Sequence, residues 1–317
     1  MRHAIQFSCR FLAVSCIVNS VAVAALPFIV VLGIAQDAGY PQAGCDRNCC
    51  REAWSDPAKR RSAASLAVVD PESHERWLFD CTPDFRPQLR LLDGATDRAS
   101  SADPSLPKLT GIFLTHAHIG HYTGLMHLGR EVIGARGVSV YAMPRMSQFL
   151  RENGPWSQLV NLENIRLRPL AADQRVQVNS RISVTPILVP HRDEFSETVG
   201  FVIAGPEKKA LYIPDIDKWE RWDRSIETYI RGVDVAWVDG TFFDDDELPG
   251  RDMSQIPHPF IRESLHRLGR LPRAIRQRVR FIHLNHTNPA LREDSAAQRL
   301  IRDAGFHIAS QGEIFQL

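Results

Sequence analysis

One stretch of the sequence constrains the fold and the chemistry more than any other: residues 114–125, which read LTHAHIGHYTGL. Its three histidines, His116, His118 and His121, follow an apolar run that ends at residue 114. If that run is a strand, His116 and His118 point the same way, because side chains repeat every second residue along a strand. Gly120 permits a sharp bend, after which His121 begins a helix with a regular apolar face. The pattern predicts three imidazoles that converge at the end of one strand.

A surface or core role is the ordinary alternative for any single histidine in a chain that has 12 of them. Three histidines within six residues, at a junction between a strand and a helix, favour a metal site instead. Neutral imidazole binds zinc, iron and manganese readily.

Later apolar runs end in the same way, with a polar side chain that can bind a metal. His191 follows the run at residues 184–190, Asp215 follows the run that ends at residue 214, and His286 follows the run that ends at residue 284. Each of them alone is typical of a turn. Together with the histidine cluster they predict one metal site assembled from distant parts of the chain.

Composition sets limits on the class of protein. A length of 317 residues allows one large domain or two small ones, and 44% apolar with 24% charged residues is typical of a globular protein. The balance of 38 basic against 37 acidic residues gives no reason to expect a nucleic acid or an anionic membrane surface as partner. We expect a small-molecule substrate, and the sequence predicts no particular oligomeric state.

The N-terminal segment differs from the rest of the chain. Within residues 1–25, basic residues precede two apolar runs, and residues 22–24 (Ala-Val-Ala) match the small-x-small pattern of a signal-peptidase site. A polar pair at residues 19–20 interrupts the apolar stretch, which disfavours a membrane-spanning helix. We predict a signal peptide over residues 1–25, export to a periplasm or secretion, and no stable membrane insertion after its removal. The alternatives are a lipoprotein processed at Cys16 and a misassigned start codon, which would leave a cytoplasmic protein.

Short apolar strands dominate the remaining sequence, with helical segments between them and neither repeats nor low-complexity linkers. The predicted strands are residues 28–34, 65–69, 77–79, 109–114, 138–142, 165–169, 175–178, 182–189, 199–203, 210–213, 233–238, 279–284, 306–309 and 314–317. The predicted helices are residues 85–92, 146–152, 259–268 and 291–303. This α/β pattern suits two sheets packed between helices in one domain.

Longer blocks of sequence resemble a known family. FLTHAHIGHYTGL resembles the H-x-H-x-D-H signature of the metallo-β-lactamase fold superfamily. VLGIAQDAGYPQAGC, DVAWVDGTFFDDDE and FIHLNHTNP resemble blocks of its pyrroloquinoline quinone biosynthesis protein B branch. The resemblance extends over most of residues 28–317. It implies an αββα sandwich of two mixed β-sheets flanked by helices, formed by residues 26–317 as a single domain, with a metal site at one edge of the sheets.

The resemblance also implies a set of ligands for one or two zinc ions, with iron or manganese as alternatives. The implied ligands are His116, His118 and His191 for the first metal, His121 and His286 for the second, and Asp215 as the bridge between them. Gly120 stands where the signature has an aspartate, so the second site lacks a carboxylate. This departure lowers the expected affinity of the second site and makes a one-metal enzyme an alternative, unless Asp217 compensates.

Four cysteines lie outside the predicted signal peptide: Cys45, Cys49, Cys50 and Cys81. Protein B and the related phosphonate-pathway cyclic phosphodiesterases carry C-x-C-x-x-C and a later histidine, which together imply an additional structural zinc. Cys45 and Cys50 match the outer cysteines and His283 matches the histidine. Arg47 replaces the middle cysteine, whose role would pass to Cys49. The alternative is a disulfide, with Cys81 as one candidate partner, which an oxidising compartment favours.

Three functions follow from these resemblances. The first is a metallo-hydrolase that attacks an ester, phosphodiester or lactone with a metal-bound hydroxide, with Asp215 orienting the nucleophile and His258 donating a proton to the leaving group. The alternative for His258 is a loop histidine between prolines. The second function is a protein B-like role in coenzyme synthesis, by iron-dependent oxidation or carriage of a peptide-derived precursor. The third is a non-catalytic carrier of a small metabolite.

The metal site of protein B itself is largely eroded, and that family has an asparagine at the position of His286. Because this chain keeps five histidines and one aspartate, the comparison predicts a metal-competent relative of protein B and not an orthologue.

Overall fold

The computed structural model describes residues 25–96 and 109–317, in which the strands form two seven-stranded sheets. In spatial order, the first sheet consists of Ile314–Gln316 (β14), Phe28–Gly33 (β1), Ser65–Asp70 (β2), Glu75–Phe79 (β3), Gly111–Phe113 (β4), Val138–Ala142 (β5) and Ile165–Pro169 (β6). The pairs from β14 to β3 are antiparallel, and those from β3 to β6 are parallel.

The second sheet has the same mixed character. In spatial order, it consists of His307–Ile308 (β13), Val279–Ile282 (β12), Val235–Asp239 (β11), Lys209–Ile213 (β10), Val199–Ala204 (β9), Ser183–Leu188 (β8) and Val176–Gln177 (β7). Strands β10 to β13 are parallel to one another, whereas β7 to β10 pair antiparallel.

Helices accompany both sheets. They are Asn48–Ser55 (α1), Phe85–Ala95 (α2), Ile119–Tyr122 (α3), Pro144–Glu152 (α4), Trp156–Asn161 (α5), Ile226–Arg231 (α6), Ile261–Leu268 (α7), Arg273–Arg276 (α8) and Ala296–Asp303 (α9). Among the described residues, no helix is both long and apolar enough to span a membrane.

Apolar side chains on both faces of the first sheet explain its continuous hydrophobic runs. In β1, Ile29 and Val31 pack in the core shared by the two sheets, whereas Val30 and Leu32 pack in a second cluster that contains residues of α2. Between the sheets, the ring of Phe79 stacks on Phe113 at 5.0 Å and meets Phe201 of the other sheet edge-on at 5.4 Å. A sheet covered on both faces requires apolar residues at successive positions instead of strict alternation.

The predicted fold class is confirmed: two mixed sheets lie face to face and are flanked by helices. Several boundaries differ from the prediction, those of helices α3 and α9 among them. Helix α3 begins at Ile119, before His121, and a 3-10 helix at Thr123–Leu128 follows it. Helix α9 begins only at Ala296, because the side chain of Ser295 accepts a hydrogen bond from Gln298 N and caps it there. The predicted signal peptide falls outside the described residues, except for Ala25.

The mixed topology brings the ends of several strands to one edge of the sandwich. Strands β3, β4, β10, β11 and β12 all take part in parallel pairs, whose carboxyl ends lie side by side. A histidine or an aspartate stands at or just after each of these ends: Asp80, His116, Asp215, Asp239 and His283. The sheet topology therefore assembles one polar site from five separate parts of the chain.

Candidate metal centre

Three histidines form the first group of the centre. The structure brings His116, His118 and His191 together, with one ring nitrogen from each within 4.8 Å of the others. The Nε2 atom of His116 lies 2.9 Å from Nδ1 of His118. His191 reaches them from the segment after β8, with its ring centre 5.1 Å from that of His118. These are the three ligands that the resemblance implies for the first metal.

A second group combines histidines with carboxylates: Asp37, His121, Asp215 and His283 offer ligand atoms within 4.8 Å of one another. The Nε2 atom of His121 lies 3.2 Å from Oδ1 of Asp37 and 2.9 Å from Oδ2 of Asp215. The same Oδ2 atom lies 3.3 Å from Nε2 of His116. Asp215 thus stands between the two groups, in the place of a bridging carboxylate.

Polar atoms without hydrogen-bond partners indicate that the two groups fit divalent cations. Within the two groups, five buried polar atoms have no hydrogen-bond partner: Asp37 Oδ1, His121 Nε2, His191 Nδ1, Asp215 Oδ1 and His283 Nε2. A buried polar atom without a partner costs about 1–3 kcal/mol. Four of the five belong to the second group, and imidazole nitrogens with carboxylate oxygens suit zinc, iron and manganese. A cation at this point would satisfy atoms that nothing else in the described structure satisfies.

The local electrostatics keep four of the ligands, two in each group, in the protonation states that a cation needs. Burial, together with the neighbouring imidazoles, lowers the pKa of His116 well below its usual value and that of His191 to about 4. Burial alone would raise the pKa of Asp215 and of Asp37, but nearby histidines, His283 and His121 among them, hold both well below the usual value. Neutral imidazoles and ionised carboxylates are the metal-binding forms of these side chains. His121 is different: burial alone would lower its pKa, but Asp80, Asp215 and Asp37 raise it well above its usual value, so a cation at this ligand would have to displace a proton.

Two buried aspartates, one from each sheet, fix the orientation of four histidine rings. Asp80 accepts a hydrogen bond from His121 Nδ1 at 2.8 Å and from the Thr115 hydroxyl at 2.8 Å, and that hydroxyl accepts one from His116 Nδ1 at 2.9 Å. The Nε2 atoms of His116 and His121 are thereby left free for a cation. Such outer carboxylates fix the tautomer of a histidine ligand.

Asp239, at the end of a strand of the second sheet, orients the rings of His283 and His258. It accepts a hydrogen bond from the Thr241 hydroxyl at 2.7 Å, and this hydroxyl accepts one from His283 Nδ1 at 2.9 Å. The other oxygen of Asp239 accepts a hydrogen bond from His258 Nδ1 at 2.8 Å. Burial alone would lower the pKa of His258, but Asp239 beside it raises that pKa. The same histidine lies 3.5 Å from Asp215 Oδ1, so the predicted proton donor borders the centre.

Left-handed backbone conformations occur at two of these strand ends. Asp80 has a φ of 66° and His283 has a φ of 64°. Such values are uncommon outside glycine, and they cluster at functional sites. Each one turns the chain sharply at the end of a strand and directs a buried side chain into the centre.

The predicted roles of His283 and His286 are wrong, because the two histidines exchange places. His283 lies in the second group, whereas His286 lies beside the cysteines. After β12 the chain pairs with the extension of β1, where Leu284 N donates to Ile34 O and Gln36 N donates to Leu284 O. This pairing carries residues 284–286 away from the centre and past the cysteine loop.

A second candidate site consists of Cys45, Cys49, Cys50 and His286, which we call the cysteine cluster. The Sγ atoms of Cys45 and Cys49 lie 3.7 Å apart, and His286 Nδ1 lies 3.3 Å from Cys50 Sγ and 3.8 Å from Cys49 Sγ. Two sulfurs on a tetrahedral zinc stand about 3.8 Å apart. The adjacent residues Cys49 and Cys50 lie on the first turn of helix α1, which begins at Asn48, and both offer their sulfur atoms to the cluster.

The alternative of a disulfide with Cys81 is wrong. All four cysteines of the described residues are free thiols. Cys81 is completely buried in the cluster of the first sheet that contains Phe85 and Leu92, apart from the other three cysteines.

Asp37 is the ligand candidate that the sequence reasoning missed. It follows β1 in the run Gln-Asp-Ala-Gly, which is typical of a turn, and the same signal that identified Asp215 applies to it: a carboxylate after a buried strand. Asp217, the predicted substitute carboxylate, is engaged elsewhere, because its Oδ2 atom lies 2.7 Å from Arg221 Nη1.

Comparison with known proteins agrees with this geometry. Residues 75–284 match the family model described as "Beta-lactamase superfamily domain". Proteins described as "Coenzyme PQQ synthesis protein B" are 26% identical in Xanthomonas oryzae pv. oryzae and 28% identical in Methylococcus capsulatus. Each of these matches covers 90% of this chain and 98% of the relative.

Two solved structures share the fold. Zn²⁺-bound PqqB from Methylobacterium extorquens has a TM-score of 0.77 at 23% identity, over 92% of this chain and 100% of that one. A diphosphatase of the PhnP family has a TM-score of 0.65 at 21% identity, over 92% of this chain and 98% of that one. The match to the family model covers well over half of the sequence. This chain belongs to the β-lactamase superfamily.

Proposed function

We propose that this chain is a metal-dependent enzyme with a role like that of its curated relatives, in the synthesis of coenzyme PQQ or of a similar quinone, with a small precursor molecule as its substrate. The similarity to protein B supports the role, because it extends over nearly the full length of those relatives. The observation that carries the enzymatic part is the second group of ligands, in which four buried atoms lack any other partner.

Divalent metal ions at this centre would supply Lewis acidity and would activate a water or a substrate oxygen. The residues that would hold them are His116, His118, His191, Asp215, His121, Asp37 and His283. The hydrogen bonds of Asp80 and Asp239 keep these imidazoles oriented before any substrate arrives. Rigid positioning of this kind reduces the reorganisation that the reaction requires.

His258 is the group of this chain that would move a proton, and Asp215 is the group that would position the attacking oxygen. His258 donates from Nδ1 to Asp239, so its Nε2 atom is the one that exchanges a proton with the substrate. Asp215 lies within 3.5 Å of His258 and between the two groups of ligands, where it would orient the attacking oxygen.

A complementation experiment tests the proposed role. A PQQ-producing bacterium that lacks its own protein B would receive this chain or the D215A variant, and the coenzyme released into the medium would be quantified by mass spectrometry. We expect the intact chain to restore production and D215A not to do so. Equal production from both chains would refute the catalytic role, and no production from either would refute the role in this synthesis.

Hydrolysis of an anionic ester is the second candidate function, and the charge of the centre supports it. Two divalent cations with two carboxylates, Asp37 and Asp215, leave a net charge of +2, which favours phosphodiester, diphosphate or ionised lactone substrates. A similar fold occurs in a diphosphatase. A substrate panel of esters, lactones and phosphodiesters would detect this activity, and elemental analysis of protein purified without added metal would separate zinc from iron or manganese.

The cysteine cluster has a different proposed role. Three thiols and one imidazole at tetrahedral spacing are a closed set of four ligands, which is typical of structural zinc. We assign the additional zinc to Cys45, Cys49, Cys50 and His286, with no place for a substrate.

A further inference from the structure

Close approach of Asp37 explains why residue 120 is a glycine. A Cβ atom on Gly120 would lie 2.2 Å from Oδ1 of Asp37 and 2.4 Å from its Cα atom. These distances are far inside van der Waals contact, and the second involves backbone that cannot move aside without changing the loop. Asp37 therefore fills the space that any side chain at position 120 would need. Gly120 does not have a positive φ, so close approach and not a special turn accounts for the glycine.

The carboxylate of Asp37 points into the second group of ligands. Its Oδ1 atom is buried without a hydrogen-bond partner, although 27% of the side chain is exposed. This atom lies 3.2 Å from Nε2 of His121 and 3.5 Å from Nε2 of His283, and both of these nitrogens also lack hydrogen bonds. Three unsatisfied atoms from three separate parts of the chain face one another.

The loop that carries Asp37 is fixed on both sides. Gln36 N donates to Leu284 O at 2.9 Å, and Gly39 N donates to Gln36 O at 2.8 Å, which closes a turn around Asp37. Gly39, the last residue of this turn, has a φ of 73°, a left-handed conformation that glycine adopts without steric cost. Tyr40 then pairs with Arg61 in an antiparallel bridge. Asp37 is consequently held in place by backbone bonds to two other segments.

We infer that Asp37 has taken over the role of the carboxylate that the family signature places at position 120, and that Gly120 is the necessary counterpart of this transfer. The chain therefore holds a complete two-cation centre, in which Asp37, His121 and His283 bind the second cation and Asp215 bridges the two. The expectation of a weakened second site, drawn from Gly120 alone, is reversed. The inference relies on the metal centre of the proposed function but not on its substrate.

The test compares four variants with the wild-type protein: D37A, G120D, the exchanged double variant D37G/G120D, and D217N as a matched control. Each metal-free protein would be titrated with Co²⁺, and the bound equivalents and their dissociation constants determined. Cobalt bound to thiolates is recognised by its near-ultraviolet charge-transfer band, so the cysteine cluster is counted separately. Thermal unfolding of each variant identifies those that fail to fold.

We expect two equivalents in the centre for the wild-type protein and for D217N. D37A should bind its second equivalent at least about 100-fold more weakly. G120D should also lose this equivalent, because its Cβ atom would collide with the side chain and the backbone of Asp37. The double variant should bind the second equivalent no better than D37A does, because the contact with the Cα atom of residue 37 remains when the side chain is removed.

Two results would overturn the inference. One is a D37A protein that binds two equivalents in the centre with unchanged affinity. The other is a folded G120D protein that binds the second cation more tightly than the wild type does, as expected if position 120 merely lacked a ligand. The outcome is independent of the complementation experiment, because metal counting needs no substrate. A negative result in the metal titration therefore does not refute the proposed role in coenzyme synthesis, and a negative complementation result does not refute the role of Asp37.

Discussion

The histidine–aspartate centre and the cysteine cluster differ in almost every physical respect, although the same two chain segments contribute to both. The centre gathers nitrogen and oxygen ligands from the ends of many strands, and its donors outnumber those that one ion can use. The cysteine cluster draws three of its four ligands from six consecutive residues, and its donors match one tetrahedral ion. An open ligand set allows chemistry, whereas a closed set allows only structural stabilisation.

The shared segments suggest why a structural site stands beside a chemical one. Residues 37–50 carry Asp37 and then the three cysteines, and residues 283–286 carry His283 and then His286. An ion in the cysteine cluster would therefore join the two segments that supply ligands to the second cation. The comparison predicts that the cluster positions Asp37 and His283, and the following experiments test that dependence in order of expected effect.

The largest effect is expected from D215A. Asp215 contacts ligands of both groups, so its removal should abolish binding of both cations in the centre and leave the cysteine cluster occupied. Coenzyme production in the complementation assay should fall at least about 1,000-fold, because bound metal contributes several kcal/mol of transition-state stabilisation. Cobalt titration measures the binding. Retention of both cations in the centre would remove Asp215 from its bridging role.

A smaller effect on activity, with none on metal content, is expected from H258Q. Because His258 borders the centre and is held by Asp239, its loss should remove a proton transfer worth about 100-fold in turnover. His258 also offers a ring nitrogen within 4.8 Å of ligand atoms of His191 and Asp215. The number of bound cations should nevertheless stay unchanged, since His258 Nδ1 is engaged by Asp239. A loss of cations in H258Q would show that this histidine is a ligand and not a proton donor.

The third prediction distinguishes the roles of His283 and His286, each of which lies in the site predicted for the other. H283A should lose the second cation of the centre and keep the thiolate-bound one, whereas H286A should lose the thiolate-bound ion and keep the first cation of the centre. Each substitution should remove one bound equivalent of Co²⁺, and the cobalt spectrum shows which site has lost it. The opposite assignment would restore the ligand set that the family resemblance implies.

The smallest effect tests the dependence of the centre on the cluster. C50S should lose the ion of the cysteine cluster, lower the melting temperature by on the order of 5–10 °C, and weaken the second cation of the centre about tenfold through displacement of Asp37 and His283. C81A is the matched control, because Cys81 is buried elsewhere and should affect no bound ion. An unchanged second cation in C50S would show that the two sites are independent.

Sequence reasoning succeeded where the local pattern determines the structure. Buried strands have continuous apolar runs, and a polar residue after such a run marks the edge of the sheet, so the sequence pattern pointed to His116 and Asp215 after parallel strands and to His191 after an antiparallel one. It failed where tertiary pairing decides. His283 and His286 are separated by three residues, and only the pairing of Leu284 with the β1 extension determines which one enters the centre.

Asp37 and Gly120 show the same limit more clearly. A glycine in place of an aspartate appears as a loss when position 120 is considered alone, because the sequence does not show that a carboxylate 83 positions earlier fills its space. The contact depends on the extension of β1 lying against the end of β12, which no local pattern predicts.

The most direct test of the central claim is anomalous X-ray scattering at the metal absorption edge, from crystals of the protein purified without added metal. We predict three peaks: one in the cysteine cluster beside His286, and two in the centre, with Asp215 in contact with both and Asp37 in contact with the one that His283 also binds. A single peak in the centre, with Asp37 turned away from it, would contradict the account.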